Sequence, residues 1–117
     1  MLKKGLRLRK KEDFDRVFRS GKPLFFNEIG CRYLEGGSSL RLGFSFSKKH
    51  LPLAVDRNRL RRVLSEAFFQ LKEEWPEHGD IIFFTVKKPK KTDMTTGRAI
   101  IRSLFEQIKK SQKAKQL

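Results

Sequence analysis

Leu40-Arg41-Leu42-Gly43-Phe44-Ser45-Phe46-Ser47 alternates large apolar side chains with small or polar ones, and shortly afterwards Leu60, Val63, Leu64, Ala67, Phe68, Leu71 and Trp75 recur at threes and fours. The first spacing is the period of a strand with one greasy face, and the second is that of a helix with one apolar stripe. A strand that feeds a long helix, with further strand and helix signals on either side, sets the class as α+β. The polar side of the strand is small and smooth; from its residues alone it is equally a solvated face or a surface that admits a ligand.

Upstream, residues 29–34 read as a strand, and Glu35-Gly36-Gly37-Ser38-Ser39 as the turn of a hairpin that pairs them with residues 40–47. Pro23-Leu24-Phe25-Phe26 suits a short edge strand. Residues 11–21 open with Glu12 and Asp13, carry Arg16 and Arg19 later and stop at Gly21, a charge order that complements a helix dipole. Phe14, Val17 and Phe18 lie on one side of that helix. Residues 1–10 form a basic arm.

Downstream, a loop with Pro52 leads to the long helix, which begins near Asp56 as N-cap or first-turn acid and ends before Pro76. Asp80-Ile81-Ile82-Phe83-Phe84-Thr85-Val86 is a continuous apolar run, suited to a central strand covered on both faces. Lys87-Lys88-Pro89-Lys90-Lys91 ends it. A last helix runs from Asp93 or Thr95 to Lys110 with Ile100, Ile101, Leu104, Phe105 and Ile108 on one side, and residues 111–117 read as a frayed, flexible tail. No repeat or linker interrupts the order, so residues 1–117 are expected to form one domain with one core.

The chain has 117 residues, 38% of them hydrophobic and 35% charged, which is enough apolar material for a core. No stretch of eighteen apolar residues occurs and the N-terminus breaks early into charge, so the expected location is the cytoplasm with no membrane contact. Cys31 is the one cysteine, which excludes an intrachain disulfide and a Cys-rich zinc site, and it reads as a small core residue. His50 and His78 stand in no metal-ligand or acid-base spacing and read as surface or turn residues. Nor do the spacings assemble paired carboxylates or an activated nucleophile.

Twenty-eight Lys and Arg against thirteen Asp and Glu give a formal charge of +15, which calls for a polyanionic partner. Nucleic acid is favoured, because phosphate neutralisation releases counterions and no basic amphipathic anchor for a membrane is evident. The charge is concentrated at Arg57, Arg59, Arg61 and Arg62, with Asn58 among them. At 100° per residue Arg59 and Arg62 lie opposite the apolar stripe, Asn58 lies beside Arg62, and Arg57 and Arg61 flank the seam. Guanidinium is a fork that meets phosphate oxygens two at a time, and Asp56 and Glu66 are too few to neutralise four of them.

Ala54-Val55-Asp56-Arg57-Asn58-Arg59-Leu60-Arg61-Arg62-Val63-Leu64 resembles the Arg-Asn-Arg signature of the protein subunit of bacterial ribonuclease P. Residues 8–21, residues 40–49 and the Asp80-Ile81-Ile82-Phe83-Phe84 block agree with the same family in order, and the likeness runs from about Leu6 to Phe105. It implies an αβββαβα sandwich: a four-stranded sheet with a left-handed βαβ crossover, the fold shared with the second domain of a small-subunit ribosomal protein. General chirality favours a right-handed crossover in about 98% of such units, so the hand rests on the resemblance alone.

The resemblance further implies a subunit that binds the catalytic RNA and the 5′ leader of precursor tRNA and promotes endonucleolytic removal of that leader, with the chemistry in the RNA. Arg57, Asn58, Arg59, Arg61, Arg62, Lys48 and Lys49 would bind the RNA subunit, and Phe14, Phe18, Arg32, Arg41 and Ser45 the leader. From spacing alone, Phe14 and Phe18 read as core. The implied cofactor is Mg2+ held with the RNA subunit and none tightly bound to the protein alone; the implied partners are ribonuclease P RNA and precursor tRNA, not DNA, in a one-to-one complex with a monomeric protein. A ribosomal or ribosome-maturation RNA-binding protein is the alternative. The chain departs from the family pattern at Arg32, where an aromatic or apolar residue is usual, in the longer His50-Leu51-Pro52-Leu53 loop, and at Ser65, where a Lys or Arg is usual.

Overall fold

A computed structural model describes residues 6–116, with side chains to residue 112. The elements run α1 (Lys11–Ser20), β1 (Lys22–Phe26), β2 (Ile29–Leu34), β3 (Leu40–Ser45), α2 (Ala54–Gln70), a 3-10 turn (Lys72–Glu74), β4 (Gly79–Thr85) and α3 (Met94–Gln116). This is the expected αβββαβα order.

The sheet order is β1-β2-β4-β3. β1 and β2 form a tight antiparallel hairpin through Asn27, whose φ of 54° suits the left-handed turn conformation that asparagine tolerates. β2 and β3 do not form the expected hairpin. β4 lies between them, antiparallel to β2 (Leu34 opposite Asp80) and parallel to β3 (Leu40 opposite Gly79). The physical reason is that the apolar run of β4 needs cover on both faces and a strand on each side, which only a central place supplies. The parallel β3–β4 pair then requires a crossover, and α2 is that crossover.

One sheet face carries Leu24, Ile29, Cys31, Tyr33, Leu40, Leu42, Ile81 and Phe83 against Leu60, Leu64, Ala67, Phe68 and Leu71 of α2 and its 3-10 junction and Ile100, Ile101, Leu104, Phe105 and Ile108 of α3. The other face is partly covered by α1, where Val17, Leu8 and Ile82 are buried together and Phe14, Phe18 and Leu34 pack around them. Trp75 closes the end of α2 by stacking on Phe68 at 4.3 Å and donating its indole N–H to the Phe68 carbonyl at 2.7 Å. Cys31 is fully buried, and burial pushes its thiol up to about 12. It should therefore resist alkylation at neutral pH in the native protein and react only as fast as the fold opens; labelling at the rate of a free thiol, read by mass spectrometry, would contradict that.

Two local expectations need correction, the end of β3 and the state of the tail. Asp56 is the third residue of α2 and so the first-turn acid, the second of the two places expected for it, because the chain already turns helical at Ala54, with Leu53 at the cap position and no side-chain cap. β3 stops at Ser45 rather than Ser47, since the Ser47 N–H is taken by the Thr85 hydroxyl at 3.0 Å instead of a strand partner. The described part of the basic arm packs on the sheet: the Leu8 N–H donates to the Leu42 carbonyl at 2.8 Å and Arg7 bridges Leu42, because Leu8 is buried under α1. Residues 1–5 lie outside the described residues. The tail is helical to Gln116, tied down where Lys22 donates to the Ser111 hydroxyl (2.9 Å) and Gln112 donates to the Tyr33 hydroxyl (2.8 Å); Leu117 lies outside the described residues.

Candidate nucleic-acid interface

α1 obeys the helix dipole, with Glu12 and Asp13 in its first turn and Arg19 in its last. α2 violates it. Its four arginines crowd into the half with the positive end, one acid (Asp56) sits in the first turn, and the last turn has no base at all. A charge order that costs the free protein stability is the mark of a surface shaped for a partner.

Within that cluster the side chains divide into two kinds. Arg57, half-buried, donates to the carbonyls of Leu51 (2.7 Å) and Pro52 (3.0 Å), so it fixes the longer loop against the helix. Arg61 donates to the Asn58 side-chain carbonyl at 2.7 Å. Arg59 and Arg62 are exposed, as their wheel positions require, and make no ion pair or hydrogen bond among the described residues. Ser65 is buried, and its hydroxyl donates back to the Arg61 carbonyl at 2.7 Å, so this position faces the interior. Lys48 and Lys49 are exposed on a turn latched to the end of β4, where Thr85 Oγ1 takes the Ser47 N–H and meets His50 Nδ1 at 3.0 Å. Both histidines are partly exposed at turns or loop ends, as expected.

The second surface lies beside α1. Phe14 is half-buried with its ring over Gly43, where an added Cβ would fall 2.8 Å from Phe14 Cζ; the glycine is what lets the helix approach so closely. A groove of about 270 Å³ opens there, lined by Arg7, Leu8, Arg9, Phe14, Gly43 and Arg61 among others. It joins the aromatic side of α1 to the arginine end of α2. Phe18, also half-buried, meets the Phe84 ring at 6.2 Å, and exposed Ser45 stands opposite Phe84 in the strand register.

Arg41 and Arg32 are more committed than their sequence positions suggest. Arg41 closes a fork on the buried carboxylate of Asp80 (Nε to Oδ1 2.9 Å, Nη2 to Oδ2 3.0 Å), which pushes its guanidinium still further up. Arg16 of α1 binds the same carboxylate at 2.7 Å and reaches Asp13 at 3.1 Å. This knot clamps α1 to the sheet. Arg32 donates one nitrogen to the Gly21 carbonyl at 3.1 Å. Sequence reasoning missed Arg16 and Asp80 as the clamp because sixty-four residues separate them. It missed Arg7 and Arg9 as groove residues because nothing local shows where an arm will lie.

Among the described residues, no three His, Cys, Asp or Glu side chains gather to hold a metal ion, and no helix is long and apolar enough to cross a membrane.

The Ribonuclease P family model matches residues 2–109. The chain belongs to the ribonuclease P protein family. The ribonuclease P protein component of Listeria welshimeri is 31% identical over 112 residues, covering 94% of this chain and 84% of the relative. The Staphylococcus aureus RNase P protein structure superposes with a TM-score of 0.78 at 25% identity, over 89% of this chain and 95% of that one. The Thermotoga maritima RNase P protein gives 0.74 at 28% identity, over 86% and 96%. The resemblance carried by the Arg-Asn-Arg signature is thus borne out in sequence and in fold, and the ribosomal alternative is not favoured. Ribonuclease P is an endoribonuclease, and the family's proteins are its protein component.

Proposed function

We propose that this ribonuclease P protein binds the catalytic RNA through the outer side of α2 and holds the 5′ leader of precursor tRNA along α1, promoting removal of the leader to give the mature 5′ end. Arg59 and Arg62 meet phosphates directly, with Lys48 and Lys49 on the adjoining turn, while Arg57, Asn58 and Arg61 contribute as an internally braced set. Phe14, Phe18 and Ser45 face the leader; Arg32 borders it with the guanidinium nitrogens it has left, and Arg41, whose three nitrogens already meet Asp80 and Asp13, borders it as a braced cation. The observation that carries this reading is the groove shared by Phe14 and Arg61: a stacking surface and a basic helix end at one opening are what a single strand leaving a folded RNA needs.

Magnesium ions held with the RNA subunit would supply the Lewis-acid chemistry of phosphodiester hydrolysis. The described residues offer no ligand cluster for such an ion, and the protein's own part is to screen phosphate repulsion and position the leader. The complex is one protein to one RNA, in the cytoplasm. Adding the protein to a ribonuclease P RNA at low magnesium should restore 5′ maturation of precursor tRNA; no rescue at any protein concentration would overturn the reading.

Phe14→Ala should weaken holoenzyme binding of leader-bearing precursor by about 5- to 100-fold, the range for removal of one base–aromatic stack, and leave mature tRNA binding unchanged. Equal losses for the two RNAs would make Phe14 a packing residue only.

A further inference from the structure

β1 is an edge strand, and it carries an aromatic side chain largely open to solvent: Phe25 is 54% exposed. It stands on the face that α1 only partly covers, opposite Gly30 of β2, which is in turn opposite Phe84 of β4. Gly30 has no side chain, and the two rings fill its space. A Cβ there would lie 2.7 Å from Phe84 Cε2 and Cζ and 2.9 Å from Phe25 Cδ1. Phe25 meets Phe84 edge to face, with centroids 6.1 Å apart at 85°, and Phe84 in turn meets Phe18 at 6.2 Å. Phe18, Phe84 and Phe25 therefore form one row, running from α1 across the sheet to its open edge.

Two observations say what covers this row. The first is that strand addition by another polypeptide is blocked: Pro23 removes a donor from the β1 edge, and the Phe25 carbonyl already accepts from Gln107 at 3.0 Å. The second is charge. The acid on this sheet face, Asp80, is neutralised by Arg16 and Arg41 at the far end, while Arg32 stands two residues along β2 from Gly30 on the same face, in a chain of net charge +15. Aromatic rings in a cationic field are complementary to unpaired nucleobases on a phosphate strand.

We infer that Phe25, supported by Phe84 over Gly30, is a further stacking position for the precursor leader, lying beyond Phe14 and Phe18 toward the β1 edge. The inference rests on the proposed leader reading and extends it: the leader-binding surface of this chain continues past α1 to nucleotides farther from the cleavage site. The stacking is sequence-tolerant, since every base has a face to offer.

The test uses holoenzyme reconstituted with the RNA subunit, and precursor tRNAs whose leaders are shortened one nucleotide at a time or carry a single abasic site. Phe25→Ala, at an exposed position, should lower affinity for the long leader by about 5-fold or more, Phe25→Trp should restore it, and the Ala effect should vanish for short leaders and for one distal abasic site. Gly30→Val, which pushes the two rings apart, should reproduce the Ala effect. If Phe25→Ala changes nothing while Phe14→Ala weakens leader binding, the row is not part of the site although the leader reading survives. If neither variant matters, the leader reading itself has failed. An equal loss for mature tRNA, or sedimentation showing that Phe25→Ala converts a dimer to a monomer, would also overturn the inference.

Discussion

Replacing Arg59 and Arg62 together by glutamate should lower affinity for the RNA subunit by about 100-fold or more, taking roughly 1.5–3 kcal/mol for each charge-assisted hydrogen bond to a phosphate that is removed. Both side chains are exposed and neither makes an ion pair or hydrogen bond among the described residues, so thermal unfolding of the free protein should stay within about 0.5 kcal/mol, the ordinary range for surface substitutions. The reversed charges even improve the match to the helix dipole, because α2 carries its cations toward the wrong end. The dependence of log affinity on log salt should also become shallower, because fewer phosphates are neutralised on binding. Filter binding or calorimetry across a salt series reads both quantities; an unchanged slope with unchanged affinity would remove α2 from the interface.

A large drop in stability should come from Asp80→Ala. The carboxylate is buried, with 8% of its side chain exposed, and it holds Arg41 and Arg16 at once. Stripping the acceptor from a buried ion pair typically costs about 3–5 kcal/mol. Here Arg16 and Arg41 keep 43% and 33% exposure and can be rehydrated, so about 2–3 kcal/mol is the better figure, or a fall in Tm of roughly 10 °C. Since Arg16 belongs to α1 and Arg41 to β3, the same change should loosen α1 and lower leader binding more than binding of mature tRNA. A cycle with Arg41→Met should show strong coupling, because once the acid is gone the arginine has little left to hold. Additive effects would mean that the knot is not one unit.

The local periods were legible in the chain, and long-range pairing was not. The threes and fours of Leu60 to Leu71 placed α2 and its outward face, and that wheel correctly separated Arg59 and Arg62 from Arg57 and Arg61. What failed was the partner of β2. The Gly-Gly-Ser-Ser turn is a good hairpin signal by itself, but the unbroken apolar character of residues 81–84 already demanded neighbours on both sides, and a hairpin of β2 with β3 would have left β4 at an edge. The inventory of the groove failed for a related reason. Arg41 looks like a free cation until the register brings Asp80 beside it, and Phe84 looks like buried core until Gly30 is seen to leave it a place in the open. Both facts live in cross-strand neighbours, which no window along the chain contains.

The insertion of β4 between β2 and β3 also dictates an order of events during synthesis. As the nascent chain leaves the ribosome, the first three strands emerge with two facing edges and nothing to join them; the hairpin of β1 and β2 can zip, but β3 must wait. Only after α2 has been made and Gly79–Thr85 has cleared the exit tunnel can the gap close. Such late, non-local closure slows folding and leaves sticky edges uncovered in the interim. Lys and Arg already outnumber Asp and Glu in the residues before β4, and that like charge keeps half-built chains apart from one another, so the same cations proposed to grip RNA in the finished particle also guard its assembly.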